Sequence, residues 1–142
     1  MEDLAVDGGV IGMGTTVDSH MIFLNTPVGA GGATDLGVEW LFDGDILGVM
    51  SDSGGTLEAA SNSFLGAVGT VYPGAFAARG MEGADGYTVS GNMITVDMAV
   101  SEPGDWIRVI TASSVDVPEP SSLALLGLGL LGIGFKRRSS SK

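Results

Sequence analysis

The chain has 142 residues, 24 of them glycine, no cysteine and a formal net charge of −11. The missing cysteines exclude a disulfide scaffold, thiolate metal sites and cysteine nucleophiles. The acidity repels phosphate backbones, so no nucleic-acid partner is expected. A glycine share well above the usual ~7% points to turn-dense β structure and away from a helical bundle.

Residues 1–19 are rich in Gly, Asp and Thr, with at most one short strand around Val10–Met13. The opening MEDLAVDGGVIGMG lacks the positive n-region and apolar h-region of a secretory signal. The expectation is a body truncated at its N-terminus. His20–Asn25, HMIFLN, reads as a strand, and the Pro and Gly of Thr26–Asp35 read as a loop. LGVEWLF then alternates, with Leu36, Val38, Trp40 and Phe42 on one side, which predicts a half-buried strand. Asp43-Gly44 is the dipeptide of a two-residue type I′ hairpin, with Asp45–Ser51 as the return strand.

Leu57–Gly66 is the one predicted helix, its apolar row being Leu57, Ala60 and Phe64. Two weak strands are expected near Gly69–Tyr72 and Ala75–Arg79, separated by Pro73-Gly74. Gly86–Val100 is the clearest hairpin, turning at Ser90-Gly91-Asn92, and Glu102-Pro103-Gly104-Asp105 makes the next turn. Trp106–Thr111, WIRVIT, is the last strand, β-branched and aromatic. Short strands at this spacing predict a mainly β fold, an antiparallel β-sandwich with at most one short helix. Residues 1–112 form this body, 113–117 a linker and 118–142 a separate C-terminal segment ending the chain with a hydrophobic helix.

Few constellations carry chemistry. Asp43, Asp45 and Asp52 are weak candidates for calcium, which takes 6–8 oxygen ligands. The plainer reading makes the first a turn residue and the last a loop residue. Glu82, Asp85 and Asp105 read as loop acids. His20 is the lone histidine, so a histidine zinc site is incomplete and a serine triad has no GxSxG elbow to use it. No enzyme activity, and no cofactor apart from calcium, is expected. Trp40, Trp106, Tyr72 and Tyr87 are the residues for a sugar platform, with Trp40 assigned to the core and Trp106 nearer the surface. Arg79 and Arg108, the sole basic residues before Pro118, are expected to pair with carboxylates.

The tail reads differently. Leu123–Phe135 contains no charged or polar side chain over 13 residues, about 20 Å as a helix at 1.5 Å per residue. A bilayer core is about 30 Å thick and a comfortable span takes about 20 residues. The segment is therefore short for a permanent span, and Lys136, Arg137 and Arg138 complete it by snorkelling. Apolar residues followed by a basic end place that end on the cytoplasmic side.

Pro118-Glu119-Pro120, the Ser-Ser-Leu-Ala-Leu-Leu that follows, the Gly/Leu run and the terminal Lys136-Arg137-Arg138 together resemble a PEP-CTERM sorting signal. The resemblance implies that Pro118, Glu119 and Pro120 are recognised by exosortase, a membrane-embedded processing enzyme of Gram-negative bacteria. It implies an anchor built from Leu123, Ala124, Leu125, Leu126, Leu128, Leu130, Leu131, Ile133 and Phe135. It also implies retention in the inner membrane, then release to the cell surface or extracellular matrix, in association with exopolysaccharide and biofilm. The alternatives are a calcium- or carbohydrate-binding surface module on the same body, and a tail-anchored membrane protein that is never processed.

Overall fold

The computed structural model describes residues 3–27, 29–101 and 104–114. Within them, eight strands and one helix follow the order β1 (Leu4–Val6), β2 (Gly9–Ile11), β3 (Val17–Leu24), β4 (Ala33–Leu41), β5 (Ile46–Met50), α1 (Thr56–Leu65), β6 (Gly86–Ser90), β7 (Met93–Val100) and β8 (Asp105–Ala112). The fold is mainly β, with antiparallel sheets and one short helix. The expected C-terminal helix lies outside the described residues, as do Glu102 and Pro103.

Two three-stranded sheets run in the orders β3-β8-β5 and β4-β7-β6, and β1-β2 is a separate hairpin. β8 organises them. Ile107 and Val109 point to one face and join Ile22, Val49, Ile94, Val96 and Met98 in a core shared by both sheets. Ile110 points to the other face and packs with Met50, Val6 and Ile11 beneath the β1-β2 hairpin. Period-two alternation puts apolar side chains on both faces, so β8 is buried throughout except at its partly exposed Trp106 and Ala112.

The sequence locates α1 and the β6-β7 hairpin, which turns at Gly91-Asn92. Other expectations need correction. The N-terminus forms two strands paired across Asp7-Gly8, where one strand was expected. Asp43-Gly44 does not close a hairpin, because β4 and β5 belong to different sheets. It is a corner, tied to both sheets by Phe42 N–H donating to Asn92 O at 2.9 Å and Ala112 N–H to Asp45 O at 2.8 Å. Gly44 is required there by proximity, since a Cβ would lie 1.9 Å from Ala112 O. No strand forms near Gly69–Tyr72 or Ala75–Arg79; residues 66–85 are a long connection. β4 is bulged between Asp35 and Val38, which breaks its alternation. Its apolar side chains stay exposed, and Trp40, assigned to the core by the sequence, is 44% exposed.

α1 forms where expected but turns an unexpected face inward. Glu58 and Ser61 are its buried residues, while Phe64 is exposed. The reason is charge. Glu58 Oε1 accepts from Arg108 Nη2 at 2.9 Å, and Glu58 Oε2 pairs with Arg79 Nη2. All three side chains are at most 1% exposed. Arg108 also donates to Ser19 Oγ at 2.8 Å and Leu65 O at 3.2 Å, and Arg79 to Gly74 O at 3.1 Å. The Arg79 guanidinium stands over Trp106 at 4.4 Å, and that of Arg108 over Tyr72 at 5.4 Å. Gly55, at φ 60, precedes the helix where any Cβ would fall 2.2 Å from Arg79 Cδ.

Removing one partner of a buried ion cluster strands the others in a low dielectric, at a cost of about 3–5 kcal/mol. Glu58→Gln is therefore expected to lower unfolding stability by roughly that amount. Urea denaturation checks this, and a loss under ~1 kcal/mol, the range of a surface pair, contradicts the assignment.

Candidate functional site

Among the described residues, one group of three acids converges: Glu82, Asp85 and Asp105, whose carboxylate oxygens lie within 4.8 Å of one another. Two elements bring them together. Glu82 to Asp85 is a tight turn, closed by Asp85 N–H donating to Glu82 O at 3.1 Å. Asp85 Oδ2 accepts from Glu82 N–H at 3.1 Å, and Oδ1 accepts from Ala99 N–H of β7 at 2.7 Å. Its carboxylate is thereby fixed between the turn and the sheet. Asp105 begins β8 opposite Leu24 of β3. Alternation gives it the same facing as Ile107 and Val109, so an acid sits on the core side of the strand.

Asp105 is only 3% exposed. Burial, then the charges of Glu82 and Asp85 and a hydrogen bond shared with Asp85, push its carboxyl up to about 7. Carboxylates do not donate to one another unless a proton lies between them, and Asp105 Oδ2 has no hydrogen-bond partner. Glu82 is exposed and Asp85 partly so, which leaves the group open to solvent on one side. The sequence names all three acids but does not join them, because some twenty residues of chain separate the turn from the strand. The legible signal was Asp105 itself, an acid in phase with the inward positions of WIRVIT.

The other sequence-derived candidates have structural engagements. Asp52 Oδ2 and Oδ1 accept the N–H groups of Thr56 and Leu57 at 2.7 and 2.9 Å, supplying acceptors to the first turn of α1. Asp43 and Asp45 flank the corner between sheets, and the structure does not gather them with Asp52 into a ligand group. His20 Nε2 lies 3.1 Å from Oγ1 of buried Thr111, and its ring packs on Phe42 with centroids 4.4 Å apart. The aromatic residues are divided. Trp106 lies under Arg79, Tyr72 faces Arg108 and accepts from Ala67 N–H, and Tyr87 donates to Asp7 Oδ2 at 3.0 Å. Trp40 lies on the edge strand β4 opposite buried Ile94 and is 44% exposed.

Pro118, Glu119, Pro120, the apolar residues from Leu123 to Phe135 and the Lys136–Arg138 cluster lie outside the described residues. Among the described residues no helix is long and apolar enough to cross a membrane. Comparison with known protein families matches residues 116–138 to the PEP-CTERM protein-sorting motif. The chain carries a PEP-CTERM sorting signal. The matched span contains the Pro-Glu-Pro triplet, the apolar run and the basic cluster, the three parts on which the sequence resemblance rested. The PEP-CTERM tail is thus an exosortase-targeted sorting segment, of the kind that anchors secreted proteins at their C-terminus. No curated protein and no solved structure matches the chain.

Asp7 ties the N-terminal hairpin to the sheets, accepting from Ser51 Oγ at 2.7 Å as well as from Tyr87. Burial first, and then the neighbouring Asp7 charge, push the Tyr87 phenol from 10.0 up to about 12. The folded protein holds that proton at pH values where the unfolded chain has released it, so stability falls as pH rises from about 10 to about 12. Tyr87→Phe is expected to remove this part of the alkaline loss. Unfolding free energies measured across that range check it; an unchanged slope in the variant contradicts it.

Proposed function

We propose that this chain is an exported, non-enzymatic protein of the cell envelope or extracellular matrix. Its body is a small β-sandwich, and its tail holds the precursor in the inner membrane until exosortase-type processing near Pro118–Pro120 releases it. The observation that carries this reading is the PEP-CTERM match over residues 116–138. Physical chemistry supports each part of the tail. Proline on both sides of Glu119 favours an extended segment that a processing enzyme can bind. An apolar run of 13 residues suits a temporary hold better than a lifelong span. The cluster Lys136-Arg137-Arg138 keeps the end of the chain on the cytoplasmic side.

A role in exopolysaccharide or biofilm structure belongs to the same reading. So does the absence of catalysis: His20, the only histidine, is engaged with Thr111 and Phe42 and serves the packing between strands. The test is mass spectrometry of the protein recovered from the cell surface or medium. Processing leaves a mature chain without Lys136–Lys142, and Glu119→Ala leaves the fold unchanged while the precursor accumulates in the membrane fraction. An intact C-terminus on the surface protein defeats the processing reading and makes the chain a tail-anchored protein. Normal release of the Glu119→Ala variant removes the recognition role given to the triplet.

A further inference from the structure

We infer that Glu82, Asp85 and Asp105 form a binding site for a divalent cation of the calcium class. The site is independent of the sorting tail. Convergence alone does not carry this, since exposed acids often cluster without a ligand. Asp105 does. It is 97% buried by its 3% exposure, it faces two other carboxylates, and Oδ2 has neither a donor nor water-facing surface. A buried carboxylate oxygen that faces other acids and has no donor is costly to keep charged.

Among the described residues no spare cation is offered to it. The body's two arginines, Arg79 and Arg108, are both committed to Glu58. The Arg79 backbone reaches the start of β8, with Trp106 N–H donating to Arg79 O at 2.8 Å, but its guanidinium is turned away to Glu58 and the Trp106 ring. A bound cation supplies the missing charge.

Size and ligand type fit calcium. Calcium–oxygen bonds are about 2.3–2.6 Å, so two oxygens on one ion stand up to about 5 Å apart. The three carboxylates meet that limit at 4.8 Å. All are hard oxygen ligands, with no His or Cys to favour a softer metal. The hydrogen bonds that fix Asp85 use one lone pair on each oxygen and leave others for the ion. Exposed Glu82 provides the opening to solvent, and waters complete a shell of 6–8 ligands. The ion would clamp the 82–85 turn to the start of β8.

The experiment uses the full chain in detergent, with calcium chloride titrated at constant ionic strength so that screening of the −11 charge is held fixed. The expected result is a saturable rise in Tm, absent in Glu82→Gln and in Asp105→Asn. Terbium provides a direct readout, because Trp106 adjoins Asp105 and sensitises luminescence from an ion bound there. Without metal, Asp105→Asn is expected to melt at or above the parent, since it removes a buried charge. Should that variant fail to fold, Glu82→Gln, altered at an exposed position, carries the test alone. No saturable rise in the parent overturns the site, as does a rise that persists undiminished in the variants.

Discussion

Glu58 is shared by two guanidiniums, and the arrangement of the body depends on that sharing. Each partner comes from a different part of the chain: Glu58 from α1, Arg79 from the connection after it, Arg108 from the central strand β8. The helix is short and lacks a continuous apolar face, so it has little to bury. It is docked by its polar face instead, while Leu57 and Leu65 at its margins touch the smaller core. The same cluster explains how residues 66–85 hold a course without strand or helix. Arg79 lays its guanidinium over the Trp106 ring, and Phe76 meets Trp106 edge-on, their ring centroids 6.1 Å apart. An acidic protein with two body arginines has placed both inside, and its remaining carboxylates are left to hydrogen bonds, to solvent or to cations.

β8 is the other organising element. Its two faces serve two cores, so the chain builds three layers: the β4-β7-β6 sheet, the β3-β8-β5 sheet, and a cover made of the N-terminal hairpin and α1. That economy matters for a body of this size, where one sheet must bury apolar surface twice. Asp105 is the exception along β8, an inward acid at the strand's first residue.

Most strands were legible because alternation and β-branching act locally. Gly86–Val100 carried its pairing in its own sequence, WIRVIT its strand character, and α1 its end at Gly66. What was not legible depended on distant partners. Asp-Gly occurs at both Asp7-Gly8 and Asp43-Gly44, yet only the first closes a hairpin. The dipeptide permits a tight reversal; whether the flanking strands then pair is decided by which sheet each can join. Trp40 looked like core because LGVEWLF alternates, and it does lie opposite buried Ile94, but β4 is the edge strand of its sheet and leaves Trp40 44% exposed. The helix face was misread because apolar periodicity is blind to a buried ion cluster. The acidic site was hidden because its members are neighbours only after the 66–85 connection is laid against the start of β8. The sorting motif was legible because its pattern is linear and needs no fold.

The position of β8 also bears on how the body answers force. The chain passes from β8 towards the sorting segment, so a load on the tail enters at Ala112. β8 is an inner strand, paired with β3 from Val17↔Ala112 to Leu24↔Asp105 and with β5 on its other side. Antiparallel ladder bonds lie across the strand, so tension along β8 shears two ladders at once and does not peel an edge bond by bond. A pull on the sorting tail therefore reaches the body through an inner strand held on both sides.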